Sequence, residues 1–181
     1  SQIAESALYL QDLFDFFKIR PLIQSVKNGR KVPNPIRMGF TFENVGFKYP
    51  GSEKWSLQNL NFHISAGEKL ALVGENGAGK TTLVKLLARL YEPSEGRILL
   101  DGHDLKEYDL DDLRKNVSII FQDYMKFQLE AGENIAIGDI ERIENMEKIE
   151  NSAVKSLANT VIEGLPAKYQ QMLGKRFLGG V

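Results

Sequence analysis

Nine residues, Gly74-Glu-Asn-Gly-Ala-Gly-Lys-Thr-Thr82, constrain this chain more than any other stretch. They put three glycines and a Lys-Thr-Thr run between a short apolar segment and a helical repeat. Glycine has no Cβ, so it reaches positive φ cheaply and lets other groups approach the main chain, at an entropic cost of about 0.5–1 kcal/mol in regular structure. Concentrating it here gives a backbone that can wrap closely around something. Before the loop, Lys69 to Val73 reads as a short buried strand with the apolar core LALV; after it, Leu83, Val84, Leu86, Leu87 and Leu90 fall in helical register.

Strand, loop and helix are the setting in which Gly74, Gly79, Lys80 and Thr81 satisfy G-x-x-x-x-G-K-[ST], the phosphate-binding loop. In it the backbone N–H groups of residues 76–81 converge on phosphate oxygens, and the helix N-terminus adds about half a positive charge. The motif assigns Lys80 to the β- and γ-phosphates and the Thr81 hydroxyl to Mg²⁺. A Rossmann dinucleotide loop fits less well. Glycines at 74, 77 and 79 give G-x-x-G-x-G, not G-x-G-x-x-G, and Lys80-Thr81 would then have no role.

The rest of the composition narrows the classes. With 181 residues, 43% hydrophobic and 26% charged, the chain can bury a sizeable core and is neither disordered nor fibrous. A net charge of -1 provides no field for a nucleic-acid partner, and none is expected. No cysteine is present for a disulfide or a thiolate metal site. The two histidines, His63 on the polar side of an alternating run and His103 in a turn, are too few and too distant for a typical zinc site. No apolar run approaches the 18 or so residues of a membrane span, and the N-terminus does not read as a signal peptide, so the chain reads as soluble.

Along the chain, Ile3, Ala7, Leu10, Phe14 and Phe17 recur at spacings of three and four, which predicts an amphipathic helix stopped by Pro21. Residues 21–38, with three prolines and an Asn28-Gly29 turn, read as a linker. From Phe40 the period becomes two: Phe40 and Phe42, an irregularity, then Val45, Phe47 and Tyr49, followed by a second alternating strand through Leu60, Phe62 and Ile64. Arg97 to Leu100 reads as a strand, Leu105 to Arg114 as a short helix, and Val117 to Phe121 as another buried strand ending at Gln122-Asp123. Residues 133–158 read as mostly helical, with Ile140, Ile143, Met146, Ile149 and Ala153 on one face.

These segments together resemble the ATP-binding cassette (ABC) domain of ABC transporters, of the exporter type. Val45-Gly-Phe-Lys-Tyr-Pro50 is similar to the family's A-loop, Leu57 to Phe62 and Gly67-Glu-Lys69 to the lead-in to its Walker A strand, and Tyr91 to Gly102 to its next strand and turn. Ile119 to Asp123 is similar to the Q-loop and Gly132-Glu-Asn-Ile135 to the following helical subdomain. The resemblance implies an α/β fold: a P-loop NTPase of ABC type with an antiparallel β subdomain, a partial parallel core sheet and part of the helical subdomain. Residues 1–20 would be the end of a membrane-proximal helix, 21–38 a linker, and 39–181 the N-terminal part of the nucleotide-binding domain.

The implied cofactors are ATP and Mg²⁺. Gly74, Glu75, Asn76, Gly77, Ala78, Gly79, Lys80, Thr81 and Thr82 would hold the phosphates, Tyr49 would stack on adenine, and Thr81 and Gln122 would hold Mg²⁺. Lys80 and Gln122 would act in phosphoryl transfer, Gln122 through its amide oxygen on the metal or the attacking water. By itself Tyr49 is an ordinary strand aromatic, to which the loop at the family's distance gives a role; Gln122 by itself is a polar strand end, yet it would sit at the carboxyl end of a strand, where ligands gather in open α/β sheets. The implied partners are a second nucleotide-binding domain and a transmembrane domain, which would tether the cassette to the cytoplasmic side of a membrane.

In the family, the pattern of Leu165-Pro166 and Gly179-Gly180-Val181 leads into the LSGGQ signature, the Walker B Asp-Glu, the D-loop and the switch histidine, which do not occur in these 181 residues. Lys175-Arg176 also departs from the Gly-Glu of many relatives. The resemblance therefore implies a chain that binds nucleotide better than it hydrolyses it and that does not fold well alone. Two other readings remain open: a truncated or degenerate cassette serving as a non-hydrolytic regulatory module, and a soluble ABC ATPase acting on DNA or the ribosome.

Overall fold

The computed structural model describes residues 2–122 and 125–174, with side chains from Tyr9 onward. The chain forms two compact units, Ser1–Ile119 and Ile120–Val181, each with its own hydrophobic cluster.

In the first unit, helix α1 (Gln2–Lys18) forms where the spacing predicts it. Leu10, Phe14 and Phe17 of its stripe are exposed, as are Tyr9, Leu13 and Phe16. The linker that follows has no helix or strand beyond one bridge between Arg30 and Tyr108, yet its backbone is fastened along its length. Val32 N–H donates to the Asp112 carboxylate at 2.7 Å, and the N–H groups of Arg37, Met38 and Gly39 all donate to the Asp101 carboxylate. Farther back, the Arg89 guanidinium, 5% exposed, donates to the Gln24 and Tyr108 carbonyls and pairs with Glu92 at 3.0 Å. A buried guanidinium is tolerable only when its donors are met in this way.

Four antiparallel strands follow in the order β2-β1-β3-β4: β1 (Gly39–Lys48), β2 (Trp55–Ser65), β3 (Glu95–Leu100) and β4 (His103–Asp104). Asn44, at φ 49°, breaks the register of β1, so that Val45 and Phe47 return to the face already occupied by Phe42. This is the irregularity expected between Phe42 and Val45, and it works as a β-bulge. Phe42, Val45 and Phe47 are buried against Leu83 and Leu86 of helix α2 (Lys80–Leu87), and Phe42 stacks on Phe62 of β2 at 4.3 Å.

Two strand assignments do not hold. Lys69 to Val73 and Val117 to Phe121 run without a ladder partner among the described residues, so the partial parallel sheet is not formed there. Parallel strands are stable when hydrogen-bonded sideways and covered on both faces. Apolar residue types announce a wish for that burial without supplying the neighbour, and Val73 and Ile120 stand 95% and 92% exposed.

The helix expected over Leu105 to Arg114 divides in two, a 3₁₀ turn (Leu105–Glu107) and helix α3 (Leu110–Lys115). Asp104 and Asp109 each cap a start, accepting from the N–H groups of Lys106 and Asp112. Between them Tyr108 is extended and fully buried, its hydroxyl donating to the Leu100 carbonyl at 2.6 Å.

The second unit contains α4 (Ala131–Ala136), a 3₁₀ segment (Ile137–Arg142), α5 (Met146–Ser156), α6 (Asn159–Ile162) and a 3₁₀ turn (Lys168–Gln170). Ala131, Ala153 and Ile162 form its buried centre. The expected single apolar face is also corrected. Asp139 leaves helical geometry and Asn145 restarts the chain as an N-cap, so Ile149 and Ala153 are buried while Ile140, Ile143 and Met146 are exposed. Lys175-Arg176 and Gly179-Gly180-Val181 lie outside the described residues.

Candidate nucleotide-binding site

The site is built around the junction between the glycine loop and α2. Within the loop Ala78 N–H donates to the Glu75 carbonyl at 3.2 Å, and Gly77 and Gly79 adopt φ of 86° and 87°. Gly79 is the residue before the first turn of α2, and a Cβ there would lie 2.5 Å from Leu57 Cδ2 and 2.8 Å from the Ser56 carbonyl oxygen. Both its φ and its surroundings require glycine.

The first turn of α2 carries no acidic residue, so nothing in it offsets the positive end of the helix. Lys80 turns back over the loop, and its Nζ donates to the carbonyls of Gly74 and Glu75 at 2.7 Å each. An ammonium, a run of backbone donors and glycines that leave room for close approach are what a polyphosphate needs. Thr81, an exposed residue in that turn, has a hydroxyl that could serve as an oxygen ligand. Mg²⁺ bound with phosphate oxygens and water needs few protein ligands, so the donor set fits.

Tyr49, just past the end of β1, reaches this junction from 33 residues away in sequence. Its hydroxyl shares a hydrogen bond of 3.1 Å with the hydroxyl of Thr82. The Tyr49 ring makes edge contacts with Phe47 and Tyr91, centroids 4.9 and 5.3 Å apart, and the Lys85 ammonium lies 5.5 Å from its centre. The structure thus brings together Tyr49, Thr82 and the loop residues Gly74, Glu75, Gly79 and Lys80. Gln122 belongs to the second unit, where it is exposed at a turn; its neighbour Asp123 lies outside the described residues.

Sequence reasoning missed three participants. Leu57, which fills the space a Gly79 side chain would need, lies in a strand whose contact with the loop has no local signal. Tyr91 and Lys85 flank Tyr49, and of these Lys85 had a signal: it is four residues after Thr81 and three after Thr82, hence on the same helical face.

Sheet, glycine loop and loop-capping lysine define a P-loop NTPase with an antiparallel β subdomain. The family model for the ABC transporter matches residues 57–175. Over 165 residues the chain is 38% identical to ATP-binding cassette sub-family B member 5 of Mus musculus, covering 91% of this chain and 13% of that protein. It is 37% identical over 172 residues to the mitochondrial iron-sulfur clusters transporter ATM1 of Saccharomyces cerevisiae, covering 93% and 24%. A solved structure of a bacterial Atm1-family ABC exporter with ATP bound matches with TM-score 0.83 and 32% identity, covering 96% of this chain and 30% of that one. The chain belongs to the ABC transporter family, and it spans about a quarter or less of the length of these two curated relatives.

Proposed function

We propose that this chain is the ATP-binding part of an ABC exporter, in which binding and hydrolysis of MgATP drive an attached transmembrane domain. The observation that carries the reading is the Lys80 ammonium, held by two loop carbonyls at the head of a helix with no acid in its first turn. An arriving polyphosphate would offer this ammonium and the loop amides far stronger acceptors than neutral carbonyls. Lys80 and the amides of residues 76–81 would hold the phosphates, Thr82 would support them, and Tyr49 would serve as the adenine platform. Thr81 and Gln122 would hold Mg²⁺, which when bound neutralises charge on the phosphoryl group. Gln122 would also orient the attacking water.

A second cassette and a transmembrane domain are the partners of this reading. The exporter names of the relatives support both, and the exposed aromatic face of α1 supports a neighbour beside that helix. The cassette would then lie on the cytoplasmic side of the membrane. Among the described residues, no helix is long and apolar enough to cross it.

Calorimetric titration of the full chain with MgATP tests the phosphate assignment. Lys80→Ala should lower affinity about a hundredfold or more, because charge-assisted bonds to phosphate are lost. Its unfolding midpoint should barely move, since both bonds made by Lys80 are exposed. Equal affinity in the variant would remove the assignment.

A further inference from the structure

Thr82 is 6% exposed, and the partner of its hydroxyl is Tyr49. Threonine in a helix has an alternative. Its hydroxyl can rotate and donate to a carbonyl three or four residues earlier, which disturbs the local backbone. For Thr82 those carbonyls belong to Gly79 and Ala78, inside the glycine loop itself. The Gly79 carbonyl already accepts from Leu83 N–H at 3.0 Å as the first bond of α2. A Thr82 hydroxyl released from Tyr49 would therefore compete for the carbonyls that shape the loop and the start of the helix.

Tyr49 is well placed to prevent this. Its ring is wedged by Phe47 and Tyr91, and its carbonyl accepts from Ser52 N–H at 3.0 Å in the turn after β1. On the preceding residue, Lys48 N–H donates to Ser94 Oγ, while Ser94 N–H donates to the Gly46 carbonyl, so the end of β1 is pinned to the segment entering β3. The hydroxyl thus projects from a braced ring into the first turn of α2.

We propose that the Tyr49 hydroxyl is a positioning group for the phosphate loop, acting through Thr82 and independently of any base stacked on the Tyr49 ring. The inference rests on the nucleotide-site reading above and adds a distinct claim. A platform residue concerns only ligands that have a base. A residue that sets Thr82 concerns ligands that are phosphate alone.

Magnesium tripolyphosphate, which has no base, separates the two roles. The full chain is titrated with it and with MgATP, comparing Tyr49→Phe, Thr82→Val, the double variant and Thr82→Ser. Tyr49→Phe keeps the ring and should still weaken tripolyphosphate binding about three- to tenfold, the range of one hydrogen bond. MgATP binding should weaken by the same factor. The double variant should be no weaker than Thr82→Val alone, because both changes break one interaction. Thr82→Ser keeps a hydroxyl and should recover most of the affinity that Thr82→Val loses. If Tyr49→Phe leaves tripolyphosphate affinity unchanged, or if the two changes add, the positioning role is overturned while the nucleotide site stands. An unaltered chain that binds neither MgATP nor tripolyphosphate would overturn the nucleotide-site reading, and this inference with it.

Discussion

Two glycines of the loop share one backbone conformation and differ in their surroundings, which makes them a matched pair for asking what the loop requires. Gly77 and Gly79 both have φ near 87°, but a Cβ at 77 would meet open space while one at 79 would press on Leu57 and the Ser56 carbonyl. Gly77→Ala should therefore carry only the left-handed penalty, about 1–2 kcal/mol. Gly79→Ala should lose about 1–3 kcal/mol more from overpacking against β2. Urea denaturation of both variants checks this, and equal losses would mean that Leu57 yields without cost. That both positions carry glycine was legible from the motif. The reason for the second was not, because Leu57 lies 22 residues earlier and touches the loop only after the sheet has formed. The same holds for Tyr49 and Thr82. Each was legible as a candidate contact for nucleotide, but their bond to each other depends on where β1 ends relative to α2.

At the scale of elements, several breaks could be read locally, although the caps at Asp109 and Asn145 were passed over, and what depended on a distant neighbour could not be read. Pro21 marks the end of the first helix, and the skipped beat between Phe42 and Val45 marks the bulge, since both are properties of the chain within a few residues. The strands expected at 69–73 and 117–121 needed ladder partners that residue types cannot specify. The linker shows the converse. Its prolines predict irregular backbone, but not that Asp101 would gather its last two N–H groups together with that of Gly39 at the start of β1. Partial burial pushes the Asp101 carboxyl up, yet those amides and the charge of Arg37 hold it below its ordinary range overall. A carboxyl lowered on folding stabilises above its unfolded value of about 3.9 and loses that contribution as pH falls through the lower folded value. Asp101→Asn should therefore be less stable than the unaltered chain at neutral pH, and the gap should close as pH drops below the ordinary carboxylate range. Denaturation midpoints of the two proteins across that range test the clasp; a gap independent of pH would show that the carboxylate charge has no part in it.

Among the described residues, the molecule combines a well-paired sheet with apolar segments that have no ladder. β1 is bonded on both sides, to β2 and β3, whereas Val73 and Ile120, within the two unladdered runs, face solvent. Such runs are open edges, able to accept any strand that offers complementary hydrogen bonds. Amide protection follows hydrogen bonding and burial, so it should divide the molecule along the same line. In hydrogen exchange on the 181-residue chain, amides in the middle of β1 should be slowed about a thousandfold or more relative to an unstructured peptide. Those of Lys69 to Val73 and Ser118 to Phe121 should exchange at nearly the peptide rate, at every protein concentration at which the chain is monomeric, whereas Val117, whose N–H donates to the Arg114 carbonyl, is left out of the comparison. Protection of the two runs that matches β1 in the monomer would mean that they find ladder partners in solution and that the exposed arrangement is wrong. Protection that rises with concentration would instead locate the surface through which the chain associates, because strand addition at an open edge buries the apolar faces and satisfies the backbone in one step.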